Sequence, residues 1–283
     1  MKEIKRQRLS GERALFMQKD SIITDSVFFD GESPLKHSKN IDINNCFFRW
    51  KYPLWYSENI RMTNCTLYEM ARAGIWYTNS ISLKNCIIEA PKSFRRAGKI
   101  SLENVNFSNA LETMWSCEDV KLKNVSVANG DYLLMNSSDI EIDSLNLIGN
   151  YAFDGAKNVT IRNSQLLTKD AFWNSENVTV YDSFISGEYL GWNSKNLTLI
   201  NCTVESLQGM CFIENLVMKN CRTVDTTLAF EYSTVDVRIE GKIDSVKNPI
   251  SGIIEADEIG ELIMENEMVD PSATKIIIGK EKE

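Results

Sequence analysis

Histidine is almost missing: His37 is the single one in 283 residues. That excludes a His-rich metal site and any mechanism needing two histidines. No run of about 18 apolar residues occurs, so no membrane-spanning helix is expected. The cations near the start, Lys2, Lys5, Arg6 and Arg8, are not followed by an apolar stretch of the secretory type. The expected location is therefore the cytoplasm. None of the seven cysteines stands in a C-x-x-C pair, the spacing that structural zinc and iron–sulfur clusters use. Reduced, buried thiols are expected, with no metal and no cofactor. Excess positive charge is lacking too. The formal charge is −8 and the isoelectric point is near 5.0, which disfavours a nucleic-acid partner, because phosphates call for a basic face.

What the chain does have is a repeat. One phrase recurs as Asn40-Ile-Asp-Ile-Asn-Asn-Cys46, Asn59-Ile-Arg-Met-Thr-Asn-Cys65, Ser80-Ile-Ser-Leu-Lys-Asn-Cys86 and on to Asn215-Leu-Val-Met-Lys-Asn-Cys221. Its sixth position falls at 45, 64, 85, 104, 124, 144, 163, 182, 201 and 220, every 19 to 21 residues. Apolar and polar residues alternate within it, the signature of a half-buried strand. No stretch of helical period, which takes about 10 to 12 residues, sits inside the repeat. Short strands once per coil, stacked in parallel, give an all-β fold: a single-stranded right-handed parallel β-helix of about eleven coils. The expected layout is one domain over 1–283. Residues 1–37 form an N-terminal cap and degenerate first coil, 38–239 the regular coils, and 240–283 a C-terminal cap.

The sixth position is Asn in eight of the ten copies, with Ser144 and Asp182 as exceptions. Asn tolerates the left-handed conformation of a sharp turn. Stacked amides can also bond in a ladder. The Asn-x-Ser/Thr triplets, such as Asn64-Cys-Thr66, are read as ladder residues and not as glycosylation sites. Cys46, Cys65 and Cys86 should stack as inward packing, as should Cys202 and Cys221.

A third strand is expected before each phrase, with an inward column Leu35, Leu54, Ile75, Phe94, Met114 and Leu134 and its later equivalents. The next residue should point outward. There stand Trp55, Trp76, Trp115, Trp173 and Trp192, five of the six tryptophans, interrupted by Arg95 and Asp154. Tyr77, Arg96 and the loop residue Arg72 flank them. Indole faces stack on sugar rings, and exposed apolar surface marks binding sites. These eight residues without Asp154 and Arg95 are the candidate ligand set, with an oligosaccharide as ligand. A protein or oligomer interface, or plain packing, is the competing reading. For chemistry, Asp154 sits centrally and the loop acids Asp131 and Asp170 come from adjacent coils. Carboxylates about 5 to 9 Å apart are the apparatus of glycoside hydrolysis. Arg95 is the candidate base for eliminative cleavage.

The coil phrase and the Asn ladder resemble the pectin-lyase-like superfamily. That resemblance implies lyases with acidic calcium ligands and a basic residue, or hydrolases with aspartate constellations, and neither motif matches here residue by residue. The segments Gly11-Glu-Arg-Ala-Leu-Phe16, Asp30-Gly-Glu-Ser-Pro-Leu35, Trp50-Lys-Tyr-Pro-Leu-Trp55, Ala71-Arg-Ala-Gly-Ile-Trp-Tyr77 and Gly187-Glu-Tyr-Leu-Gly-Trp-Asn193 are similar to an uncharacterised bacterial family of cytosolic β-helix proteins, a domain of unknown function. It implies the fold and no activity. Two functions stay open: a hydrolase or lyase acting around Asp154 and Arg95, or a non-catalytic binding or scaffold solenoid.

Overall fold

Alternation places every second side chain of a strand on one face. In the computed structural model, which describes residues 1–279, Ile41 and Ile43 of the strand Lys39–Asn44 are fully buried while Asp42 between them is half-exposed. Residues 280–283, the end of the expected C-terminal cap, lie outside the described residues. The chain divides into two compact units, Met1–Gly149 and a second beginning at Asn150.

In the first unit eight strands follow one another: Lys2–Lys5, Lys19–Thr24, Lys39–Asn44, Glu58–Thr63, Asn79–Ile88, Gly98–Phe107, Glu118–Val127 and Ser138–Ile148. Each pairs in parallel with the next. Seven follow in the second: Lys157–Arg162, Glu176–Tyr181, Lys195–Ile200, Glu214–Thr227, Thr234–Lys247, Ser251–Ile263 and Thr274–Ile278, again parallel. Both units are parallel β-helices.

The eleven coils expected are too few. Among the described residues eight and seven strands make fifteen coils, of which two precede residue 38 and two follow 239. The repeat extends beyond its recognisable spelling because local chemistry substitutes for it. Ser21 occupies a core position, fully buried; its hydroxyl donates to the Lys19 carbonyl and accepts from Gln18 Nε2, both at 2.7 Å. Arg6 and Asp25 stand at the turn where Asn is usual, with φ 52° at each. Near the other end Gly252, φ 118°, takes an inward position, and a Cβ there would collide with the Val235 carbonyl oxygen.

The turn expected at the sixth position is present, and three more accompany it. One coil bends at Tyr52, Tyr56, Asn59 and Asn64, with φ of 60°, 56°, 54° and 53°. The four closely spaced corners leave little room for the expected third strand. Among the described residues it is formed at Ile75–Trp76 and Phe94–Arg95, with isolated bridges from Arg95 to Trp115 and from Ala229 to Val246. The left-handed conformation costs a non-glycine residue about 1–2 kcal/mol. Hydrogen bonds to the next coil offset it, such as Tyr56 N–H to the Trp76 carbonyl at 3.0 Å and Asn64 N–H to the Lys84 carbonyl at 3.0 Å.

The amide ladder forms as the residue pattern suggests. Asn64 Nδ2 donates to Asn45 Oδ1 (3.2 Å), Asn85 to Asn64 (3.3 Å), Asn104 to Asn85 (3.0 Å) and Asn124 to Asn104 (2.7 Å). A second ladder runs along the first position of the phrase, from Asn59 to Asn40 at 2.9 Å in the first unit and from Asn196 to Asn177 at 2.8 Å in the second. Asn85 both donates and accepts at a left-handed corner. Replacing it by Ala should cost about 2–3 kcal/mol, and by Gly about 1–2 kcal/mol, because Gly loses the ladder but not the backbone freedom. Urea denaturation of both variants checks the order; equal losses would show that the corner is unstrained.

Candidate functional site

Coils lie about 4.8 Å apart, close to the stacking distance of flat groups. In the first unit the outward column turns that spacing into a continuous stack. Lys36 Nζ lies 5.7 Å from the Trp55 ring, and Trp55 and Trp76 stack at 5.4 Å and 7°. The Arg95 guanidinium is sandwiched, 4.6 Å from Trp76 and 4.5 Å from Trp115. Beside it runs a second stack, His37 on Tyr56 at 5.2 Å and Tyr56 on Tyr77 at 4.7 Å. The expected inward column is equally clear: Leu35, Leu54, Ile75, Phe94, Met114 and Leu134 are all fully buried.

The indole edges are engaged as well. Trp55 Nε1 donates to the Ala73 carbonyl, Trp76 to Lys92 at 2.8 Å and Trp115 to Tyr132 at 2.8 Å. Each acceptor is a left-handed corner of the next coil. In the second unit Trp173 Nε1 donates to the Tyr189 carbonyl at 2.8 Å, and the Cys211 thiol repeats the contact with Leu228 at 3.6 Å. Tryptophan thus does backbone work here, satisfying corner carbonyls that the coil itself leaves over. Trp192 continues this unit's column, 6.1 Å from Trp173 and 4.2 Å from Phe212.

The charged candidates are placed as follows. Arg95 is half-buried and also meets Glu112 at 3.4 Å, which in turn pairs with Lys92 at 3.0 Å. It is a fixed cation between two rings. Arg96 and Arg72 are exposed and enter no ion pair among the described residues. Asp131 belongs to the first unit, half-buried, its carbonyl accepting from Glu112 N–H at 2.9 Å. In the second unit Asp154 accepts from Asn174 Nδ2 at 2.9 Å. Asp170 is nearly buried at a corner and accepts from the Tyr151 hydroxyl. Burial, and then the nearby Glu188 carboxylate, hold the Asp170 carboxyl above the usual aspartate range.

Of these charged candidates Arg72 alone lines either of two clefts, and Arg95, Arg96, Asp131, Asp154 and Asp170 line neither. In the first unit Tyr52, Trp55, Arg72, Ala73, Trp76, Pro91 and Lys92 line a cavity of about 290 Å³. The Tyr52 ring sits 4.4 Å from Trp55. Trp55, Trp76 and Arg72 come from the expected ligand set. Tyr52 and Lys92 were missed, although both stand at the corner that precedes the column by three residues. In the second unit Lys169, Ser186, Glu188, Glu205 and Asp225 help line a polar cavity of about 370 Å³. Lys169 pairs with Glu188 there at 2.8 Å.

All seven cysteines are free and buried. Burial pushes the Cys46 thiol up to about 11 and those of Cys117 and Cys211 up to about 12. Such groups are packing and not nucleophiles.

Trp115→Phe keeps a ring against Arg95 but deletes the N–H on Tyr132. A loss of about 1–3 kcal/mol is expected, read by urea denaturation; an unchanged midpoint would show that water replaces the indole at no cost. Asp170 gives a pH signature. A raised carboxyl binds its proton more tightly when folded, so its contribution to stability falls as pH rises through the window above the ordinary aspartate range. Asp170→Asn should therefore stabilise the protein at neutral pH and make no difference in strong acid. Thermal melts across that range check the sign.

Similarity to solved structures is remote. A surface adhesin of Streptococcus pneumoniae, PfbA, is 8% identical, with 86% of this chain and 83% of that one covered and a TM-score of 0.44. The A-module of the Azotobacter vinelandii mannuronan C-5 epimerase AlgE4 is 10% identical, with coverage of 95% and 86% and a TM-score of 0.29. QnrB1, a plasmid-mediated fluoroquinolone resistance protein, is 10% identical, with coverage of 79% and 94% and a TM-score of 0.28. No curated protein matches the chain by sequence. The family model described as "Protein of unknown function (DUF3737)" matches residues 2–277, and the chain belongs to that family.

Proposed function

We propose that the protein is a non-catalytic binding solenoid that takes an acidic oligosaccharide in the first-unit cleft. The observation that carries this reading is the unpaired, exposed Arg72 at the rim of an aromatic cavity of about 290 Å³. A planar guanidinium matches a carboxylate in a two-point contact. Lys92, already paired with Glu112 at 3.0 Å, adds a weaker second donor, and the Tyr52 ring and the tryptophan edges supply apolar wall for sugar C–H groups. The stacked indole faces are closed to a ligand, so Trp55 and Trp76 act through their edges. Tyr77 lies on the adjoining stack and Arg96 at the equivalent corner of the next coil, and both suit further sugar units. No carboxylate lines this cleft, which favours binding over hydrolysis. Seven free, buried thiols suit a reducing compartment, and the cytoplasm is the proposed location.

A second reading rests on one observation in the second unit. Asp170, its carboxyl held above the usual aspartate range by burial and by Glu188, stands just behind the cavity of about 370 Å³ that Glu188 lines, a space of the size a glycoside needs. Asp170 would be the acid and Glu188 its partner.

Titration with oligomers of galacturonic acid, followed by calorimetry, separates these. Wild type should bind them and ignore neutral glucose oligomers, and Arg72→Ala should weaken binding at least about tenfold, the usual scale of a charge-assisted bond. Equal binding of both oligomers, or no effect of the substitution, would count against the first reading. Release of new reducing ends, lost in Glu188→Gln, would establish the second.

A further inference from the structure

The ends of the repeat are built differently from its middle. Among the described residues, Lys2–Lys5 pairs with Lys19–Thr24 alone and Arg8–Leu9 with Val27–Phe28 alone. At the other end Thr274–Ile278 pairs with Ser251–Ile263 alone. Each of these strands offers a row of backbone N–H and C=O groups on its second edge. The core is cut open at the same places. Ile4 and Ile276 are half-buried, whereas Ile23, Ile43, Val237 and Ile254 in the same inward column are all 0% exposed.

Charge separates the two ends. Residues 1–18 carry Lys2, Lys5, Arg6, Arg8 and Arg13 against Glu3 and Glu12. Residues 257–279 carry Asp257, Glu258, Glu261, Glu265, Glu267 and Asp270 against Lys275. The basic end belongs to the first unit and the acidic end to the second.

We infer that the first coil of one molecule stacks on the last coil of a second copy, so that the parallel ladder continues from molecule to molecule. Among the described residues the strand pairings named within the two units are all parallel, so only a head-to-tail contact extends the same hydrogen-bond pattern. Counted along the repeat, such a contact sets Ile4 over Ile276 and closes the core column. It sets Glu3 over Lys275, the same cross-coil pairing of opposite charges that joins Lys195 to Glu214 at 2.9 Å within the chain. A head-to-head contact would oppose like charges. Because the two surfaces differ, the association is heterologous and does not stop at a dimer.

Sedimentation velocity on the full chain tests this. Wild type at low ionic strength should show a mass that rises with concentration past the dimer and falls on adding salt. The triple variant Lys5→Glu, Arg6→Glu, Arg8→Glu should be monomeric, and so should the double variant Glu258→Lys, Glu261→Lys. Circular dichroism verifies that both remain folded. An equimolar mixture of the two should associate again, because each end meets its opposite charge. A single monomer boundary for wild type throughout, a series ending at the dimer, or a mixture that stays monomeric each overturns the inference.

Discussion

The constraint on which the rest depends is the left-handed corner. A coil of about 20 residues returns to its starting point only by turning sharply, and here it does so at residues with φ near 50–60°. Side chains other than glycine pay a steric penalty there. Two things relieve it. The corner N–H finds a carbonyl on the adjacent coil, and Asn at the sixth position adds an amide bond of its own. Both require the coils to lie in register. Register in turn sets the inward columns of Ile, Leu and Phe and the outer pairs such as Lys39–Glu58 at 3.0 Å. Pairs this exposed contribute about 0–1 kcal/mol each; their use is to make a slipped register unfavourable.

The same spacing decides what the tryptophans can do. Rings one coil apart stack on each other, so a column of aromatics closes its own faces. The guanidinium of Arg95 fits such a column because it too is flat, and cation–π contact with two rings replaces the water it gives up. What remains for a ligand is the groove at the side of the column, where the corner residues Tyr52 and Lys92 stand.

Much of the fold was legible because strand alternation and the Asn turn are local features. The inward column, the outward column and the amide ladder all followed from spacing. The outer coils were illegible where Ser21, Arg6 or Gly252 replaced the usual residue, since their fitness rests on a hydrogen bond or a close backbone approach and not on residue type. Two of the four corners, those at Tyr52 and Tyr56, were hidden for the same reason. Tyr, Ala and Lys carry no turn signal, and inter-coil bonds override their preference. The site was half legible. Strand spacing and its flank already grouped Trp55, Trp76 and Arg72 as candidates, but the engagement of each indole N–H by a corner carbonyl depends on a contact some 16 to 18 residues away. The grouping of Asp170 with Glu188 needed three dimensions as well.

The amide ladder has a consequence for how such a gene can change. A single inserted residue within a strand would rotate every following side chain from inside to outside and strand its Asn away from the ladder. A whole inserted coil disturbs nothing, since its top and bottom repeat the surfaces it separates. Length in this architecture is therefore quantised. Lineages can lengthen or shorten the molecule only in steps of one coil, with slips of a few residues absorbed at the corner loops, which already let the interval vary from 17 residues (Val237 to Ile254) to 22 (Ile254 to Ile276).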